Sequence, residues 1–365
     1  MAQQGHIGRR LLDLLRDHAK REPVRTTFRG LVHHGRHARS GFVARNLREQ
    51  LCVRLSHQAE RLQRFPEGEG STYHLEQLLR VHVDTFQELH DMGGVVDRIM
   101  PGSREQSLLL QKCDPLDDFR RCIDAINNRH TANVETLMEA KMEASRHWEG
   151  EEAEERLQQF IDEFLQMHVS FQLLCRHFLL SLKTQDAKND SARTGMVAEK
   201  CLLRSVVADA IGETQLITEH HLADSPDVII EGDVNARATC IPSHVHHILF
   251  EVLKNALRAT AVRHGRVADS LPPVRVRIAK GKEQVSVTVA DKGGGMGLAT
   301  TRNAFRYLWT SSETYHEAQR KHHANASYQP ANDPLSGMGI GLPLSRLYAR
   351  HFGGDLGMLS LQGYG

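Results

Sequence analysis

Three short segments in the last half of the chain hold residues whose types and spacing could do chemistry on a bound anion. In IPSHVHHILFEVLKNALRAT (241–260), apolar Val245, Ile248, Leu249, Val252, Leu253 and Leu257 recur at helical spacing. His247, Glu251, Asn255 and Arg258 follow one another on a different stripe, at steps of four, four and three. Such steps stack side chains along one face of an α-helix. An imidazole, a carboxylate, an amide and a guanidinium in one row can take a proton, hold a cation and meet a negative charge. Taken alone, the row reads more readily as a solvated polar face. Pro242 starts the helix, and Ser243 is the expected N-cap.

The second segment weighs against that plain reading. The alternating run VSVTVA leads directly into DKGGGMG, which puts Asp291 at a strand end with Gly293, Gly294 and Gly295 behind it. Glycines there let backbone approach a ligand closely, and a carboxylate at that point can accept a hydrogen bond from an exocyclic amine. The third segment is SGMGIGLPLSRLYARHF, in which Gly337, Gly339 and Gly341 alternate and a helix starts with Pro343 near its first position. Glycine loops that open helices bind phosphate through free backbone N–H groups and the positive end of the helix dipole. No Lys-Ser/Thr pair follows the last glycine and no βαβ strand precedes the loop, so it fits neither a P-loop nor a dinucleotide fingerprint.

The elements that must position these segments have two textures. Residues 1–182 are helical in pattern, with apolar residues at helical spacing in 75–92 and 153–182. PEGEGST (66–72) and MPGS (100–103) break the helices, and the acids around Glu149–Glu155 open the last one. A bundle of about four long helices is the simplest architecture. TQDAKNDSARTG (184–195) is polar and reads as the link, so the boundary is set at 1–184 and 185–365. Beyond it come a helix over 197–222, a strand at 226–230 and the helix from Pro242. A hairpin of VRVRIA (274–279) and VSVTVA (285–290) follows, then a long loop or lid over 300–336 and a helix over 343–352 stopped by Gly353-Gly354. The fold class is α+β.

Composition excludes several classes. Formal net charge is +1, with 25 % charged and 40 % hydrophobic residues, which gives no global case for nucleic acid. No apolar run is long enough to cross a bilayer. Six cysteines are scattered without close pairs, which reads as free thiols in a reducing compartment rather than a disulfide framework or zinc site. Residues 1–45 carry ten Lys/Arg against three Asp/Glu. The basic N-terminal segment, about 25 residues, is either a mitochondrial presequence or an ordinary first helix with a basic face.

The order of the three segments resembles the ATP-binding fold shared by gyrase, heat-shock chaperones, histidine kinases and mismatch-repair ATPases: Asn on a helix, Asp-x-Gly-x-Gly after a strand, a lid, then Gly-x-Gly-x-Gly before a helix. In finer detail, His247-x-x-x-Glu251-x-x-Lys254-Asn255-Ala256-x-Arg258-Ala259-Thr260 and GMGIGLPLSRLYARHFGGDL (337–356) resemble the mitochondrial pyruvate dehydrogenase kinases and branched-chain 2-oxoacid dehydrogenase kinases. RNLREQLCVRLSHQ (45–58), INNRHTANVETL (126–137) and FIDEFLQMHVSFQLLCRH (160–177) are similar to that family's helical domain, so the resemblance covers nearly the whole chain.

The resemblance implies a protein-serine kinase of the mitochondrial matrix that uses ATP and Mg²⁺. Asn255 is implied to hold Mg²⁺. Glu251 is implied as the general base at the nucleotide's edge, with His247 one turn earlier hydrogen-bonding and tuning it. Arg258 and Lys254 would lie beside the nucleotide, Asp291 with Gly293 and Gly295 would bind adenine, and Thr310 and Ser311 would approach from the lid. Gly337, Met338, Gly339, Ile340, Gly341 and Leu342 would wrap the phosphates. The implied partners are the E1 alpha subunit of a 2-oxoacid dehydrogenase as substrate and the lipoyl domain of E2, with the kinase itself a homodimer. His168 and Gln172 depart from the family, which has Arg at both places. The family continues beyond GYG (363–365) with a strand and a tail, so the chain is expected to lack both. The pyruvate complex is favoured over the branched-chain one. Two rivals stay open: a protein histidine kinase using His168 or His177, and a nucleotide-binding scaffold without chemistry.

Overall fold

The computed structural model describes residues 8–37, 40–65, 73–99, 114–145, 148, 150–186, 193–265, 270–309 and 339–365. The chain divides into two compact units, Met1–Val197 and Ala198–Gly365.

The first unit is helical: α1 (Arg9–Ala19), α2 (Phe28–His37), α3 (Ser40–Arg64), α4 (Tyr73–Asp91), α5 (Gly93–Ile99), α6 (Pro115–Arg129), α7 (Asn133–Ala144) and α8 (Glu151–Asp186), closed by a two-residue strand β1 (Arg193–Thr194). Asp114 caps α6 by accepting from the Leu116 N–H, with Pro115 in the first turn. Acids Glu151, Glu152 and Glu154 occupy the first turn of α8, where they oppose the helix dipole. The core is made by Leu51 and Leu55 of α3, Phe86 of α4, Phe119 and Ile123 of α6, and Phe171 of α8. Each such side chain contributes about 1.5–3 kcal/mol through burial. The first helix belongs to this core: Leu15 is buried in it, with Leu11 and Leu14 packed alongside.

One patch of the bundle interior is polar. His82, His130 and His168 are 2 %, 0 % and 6 % exposed. The rings of His82 and His130 stand 5.0 Å apart edge to face. Asn133 donates to His130 Nδ1 at 2.9 Å, which leaves the proton on Nε2, 2.9 Å from Thr85 Oγ1. A second proton would face the Asn133 amide donor. Gln172 Nε2 donates to the Asn127 carbonyl at 3.3 Å, while Gln172 Oε1 and His168 Nδ1 have no hydrogen-bond partner among the described residues. His168 and Gln172 therefore fill their positions as neutral buried groups. Burial pulls His82 down to about 4 and His168 to about 3, and lowers His130 as well.

The second unit contains β2 (Val197–Leu202), α9 (Leu203–Leu222), β3 (Val228–Gly232), β4 (Arg237–Cys240), α10 (Pro242–His264), β5 (Val274–Lys280), β6 (Val285–Ala290), α11 (Leu298–Asn303) and α12 (Gly341–His351). β5 pairs parallel with β3 and antiparallel with β6, in a register running from Arg275↔Ala290 to Lys280↔Val285. Val274, Val276 and Ile278 are fully buried on one face of β5 and meet Val207 and Ala210 of α9 and Leu253 and Leu257 of α10. Arg275 and Arg277 point the other way, and both pair with Glu231 of β3. The hairpin thus supplies a rigid floor for α10 and ends, at Ala290, beside the glycine-rich turn.

Four local expectations need correction. Residues 197–202 are a strand, because they pair antiparallel with β4, and the helix begins only at Leu203. Ser243 is not the N-cap of α10. Ile241 holds that place in extended backbone with no side-chain cap, since Pro242 at the first helical position already has the helical φ. The last helix starts at Gly341, two residues before Pro343. Residues 298–303, at the start of the expected lid, form a helix, and 310–338 lie outside the described residues.

The buried histidines generate a pH prediction. Their folded values lie below the unfolded value near 6.5, so the unfolded chain binds more protons as pH falls below that point, and stability drops. Each histidine costs about 1.4 kcal/mol per pH unit in that window. Thermal melting of the full chain should shift steeply downward between pH 6.5 and 5, and a flat midpoint across that range would contradict the neutral assignment.

Candidate functional site

The site forms where α10, the turn after β6 and the start of α12 converge. On α10, Glu251 and Lys254 are three residues apart, and their side chains are 14 % and 8 % exposed. Lys254 Nζ lies 3.0 Å from Glu251 Oε1 and 2.9 Å from Oε2, so one ammonium bridges both carboxylate oxygens. The same ammonium sits 5.5 Å from the centre of the Phe250 ring. Lys254 therefore orients the carboxylate from within the helix. Charge-assisted bonds of this kind, shielded from water, hold geometry well.

The carboxylate also abuts the next element. A Cβ at Gly341 would overlap Oε2 of Glu251, so any side chain there must push this carboxylate aside. Gly341 is the first residue of α12, whose N-cap Ile340 supplies no side-chain bond. The first-turn N–H groups of Gly341 and Leu342 have no intrahelical partner and Pro343 has no N–H, so the helix opens as an anion-facing end. Gly339, at φ +71°, turns the chain into that helix, and its carbonyl accepts from the Leu308 N–H at 3.0 Å.

His247 lies one turn before Glu251 and is half-buried. Its Nε2 has no hydrogen-bond partner among the described residues, and its ring meets that of Tyr348 edge-on at 5.1 Å. Burial lowers its basicity, and the Glu251 charge pulls the other way. In this arrangement Lys254, not His247, bonds the carboxylate. Asn255 is exposed one turn after Glu251, and Arg258 is half-buried beyond it.

Asp291 is half-buried at the strand end, and its Oδ1 accepts from the Gly293 N–H at 2.7 Å. That bond fixes the carboxylate and leaves Oδ2 without a hydrogen-bond partner among the described residues. A side chain at Gly293 would collide with Ala259 of α10, so the turn lies directly against the helix bearing the polar row. The turn is clamped from behind: Met296 N–H donates to Ser360 Oγ, Gly363 N–H to the Gly294 carbonyl, and Arg263 to the Gly363 carbonyl, at 2.7, 2.7 and 2.8 Å.

The residues read from sequence thus fall into three groups. Glu251, Lys254 and Gly341 sit together with Ile340 and Leu342 at the helix opening, and His247 lies one turn earlier on α10, against Tyr348. Asp291, Gly293 and Gly295 form the turn against Ala259. Thr310, Ser311, Gly337 and Met338 lie outside the described residues. Sequence reading missed Tyr348, which contacts both His244 and His247 from α12. Its position seven residues after Gly341 was the available signal, since that spacing returns to the same helix face. Thr260 was also passed over, although its buried hydroxyl lacks a partner among the described residues. His168 and His177 are 6 % and 5 % exposed, too enclosed to receive a phosphoryl group as they stand. Among the described residues, no group of three His, Cys, Asp or Glu side chains is placed to hold a metal, and no helix is long and apolar enough to cross a membrane.

Comparison with known proteins agrees with this layout. Residues 25–198 match the family model described as mitochondrial branched-chain alpha-ketoacid dehydrogenase kinase. Residues 240–365 match the model of histidine kinase-, DNA gyrase B- and HSP90-like ATPases. The chain is 30 % identical over 327 residues to the mitochondrial [pyruvate dehydrogenase (acetyl-transferring)] kinase isozyme 4 of Rhinolophus ferrumequinum, covering 87 % of this chain and 73 % of that one. It is 29 % identical over 340 residues to the Drosophila melanogaster mitochondrial enzyme, covering 87 % and 74 %. Against that of Ascaris suum it is 32 % identical over 260 residues, covering 69 % and 62 %.

Gly341→Ala tests the packing of the site. The methyl group must displace the Glu251 carboxylate, an overpacking that costs about 1–3 kcal/mol. ATP affinity should fall at least about tenfold, the equivalent of 1.4 kcal/mol, with the second unit still folded by circular dichroism. Unchanged affinity would mean that the carboxylate and the helix opening are not one site.

Proposed function

Since this chain belongs to the mitochondrial pyruvate dehydrogenase kinase family, an ATP-dependent group of protein kinases, we propose that it transfers the γ-phosphoryl group of ATP to a serine of the E1 alpha subunit of the pyruvate dehydrogenase complex. The observation that carries the reading is the Glu251 carboxylate, fixed by Lys254 and seated against the first residue of α12. A base thereby stands next to donors suited to phosphate, as transfer to a hydroxyl requires.

The residues are assigned roles on that basis. Glu251 takes the proton from the serine hydroxyl, and Lys254 aims it. His247, enclosed by Tyr348, adjusts the carboxylate's surroundings. The N–H groups from Gly337 to Leu342 hold the phosphates, with Thr310, Ser311 and Arg258 near the nucleotide. Asp291 accepts from the adenine amine through Oδ2, with Gly293 and Gly295 shaping the turn. Asn255 is exposed on the same face as Glu251, and its amide oxygen suits a hard cation that takes its remaining ligands from phosphate and water. A Mg²⁺ held there would neutralise charge on the phosphates.

The partner reading extends to the first unit. A cavity of about 150 Å³ there has Leu31, Leu47, Leu174 and Phe178 in its lining, with Gln50, Arg54 and His177 among the polar groups that border it. Its aliphatic and aromatic lining suits the dithiolane arm of a lipoyl domain, and we assign the E2 lipoyl domain to it, with a homodimer as the working assembly. The branched-chain complex is the second reading, favoured by the family model matching residues 25–198.

Two variants separate the roles. Glu251→Gln should retain ATP binding and lose transfer by about 10²–10⁴-fold, the usual worth of a positioned base. Asn255→Ala should lose Mg²⁺-dependent ATP binding and transfer together. Transfer within a few-fold of wild type in Glu251→Gln would remove Glu251 from the chemistry. For the partner, Leu174→Trp should fill the cavity and abolish pull-down of a lipoylated domain, and equal capture by that variant would displace the arm to another surface.

A further inference from the structure

The two cysteines that end neighbouring strands of the second unit are brought together by the fold. Ala198 faces Cys240 and Cys201 faces Ala238 across the β2–β4 pair, with three steps on β2 against two on β4 between those matches. The extra residue is a bulge. It is pinned by Thr239 Oγ1 donating to the Glu199 carbonyl and Arg237 Nη1 donating to the Lys200 carbonyl, each at 3.0 Å. Ala238 and Cys240 are two apart, so they share a face, and Cys201, opposite Ala238, shares it too. Both thiols belong to the same apolar cluster, Cys240 within it and Cys201 half-buried at its edge. They lie diagonally across the bulge, and neither is in a disulfide.

We propose that Cys201 and Cys240 form a reversible disulfide when the chain meets a hydroperoxide. The half-buried Cys201 is the sulfur that solvent-borne oxidant reaches. Its thiolate attacks the O–O bond: an S–O bond forms, the O–O bond breaks, and the departing hydroxide leaves as water with the thiol's proton. Cys201 is then a sulfenic acid. Cys240 gives up its proton and attacks the Cys201 sulfur, so that an S–S bond forms, the S–O bond breaks and a second water leaves. Two thiols and one hydrogen peroxide become one disulfide and two waters. Burial, and then the neighbouring Cys201, push the Cys240 thiol up, which suits it to resolve a partner's sulfenic acid rather than to react first. The bond would staple the points from which two packed helices start. Leu203 opens α9 two residues after Cys201, and Pro242 opens α10 two residues after Cys240. This inference stands apart from the catalytic roles given above.

The test treats the full-length chain with hydrogen peroxide, blocks remaining thiols with iodoacetamide, and maps peptides by mass spectrometry before and after dithiothreitol. The expected result is loss of both Cys201 and Cys240 from the alkylated pool, a cross-linked peptide lighter by two hydrogens, full recovery on reduction, and a raised melting temperature while oxidised. Cys201→Ser should leave Cys240 fully alkylated. Cys240→Ala should stop at a Cys201 sulfenic acid that dimedone traps, and if that core variant fails to fold, Cys201→Ser decides. The proposal is overturned if both thiols stay alkylatable in wild type, or if either is joined to another cysteine instead.

Discussion

The second unit is organised around a half-buried carboxylate with little room beside it. Glu251 projects from α10 into the opening of α12, where a side chain at residue 341 would overlap it. An acid in such a place needs a fixed counter-charge, and Lys254, three residues on, supplies it through both oxygens. The start of α12 therefore lies in close approach to the carboxylate, which a glycine permits. The hairpin β5–β6 backs α10 from below through Val274, Val276 and Ile278, and the turn at its end is pressed against Ala259 of the same helix. One helix therefore carries Glu251, touches the start of α12 and abuts the turn bearing Asp291.

That economy fits phosphoryl transfer. The reaction asks a protein for little covalent chemistry and much positioning, with donors held where charge must be balanced. Groups whose bonding capacity is open to a ligand are found at the convergence: the N–H groups of Gly341 and Leu342, Oδ2 of Asp291 and the exposed amide of Asn255. His168 and His177, by contrast, are buried in the helical unit, where burial keeps them neutral. A histidine-directed kinase would need one of them outside.

Much of this was legible in the sequence because it is written in local periodicity. The two-residue alternation of 274–279 and 285–290 fixed the hairpin, and the three- and four-residue steps of His247, Glu251, Asn255 and Arg258 placed them on one helix face. The glycine alternation before α12 marked where that helix opens. What escaped was set by contacts distant in sequence. Residues 197–202 form a strand only because β4 lies beside them. Cys201 and Cys240 are remote along the chain and meet through a bulge that no sequence spacing announces. The polar patch of His82, His130 and His168 also draws on three separate helical segments, so nothing local marked those histidines as buried.

The most direct measurement is transfer of radiolabelled phosphate from ATP to purified E1 subunits of the pyruvate and branched-chain complexes, side by side, followed by acid treatment. The account predicts acid-stable label on a serine of the pyruvate E1 alpha subunit. Acid-labile label on the kinase itself, or no label on either subunit while ATP is bound, would contradict it.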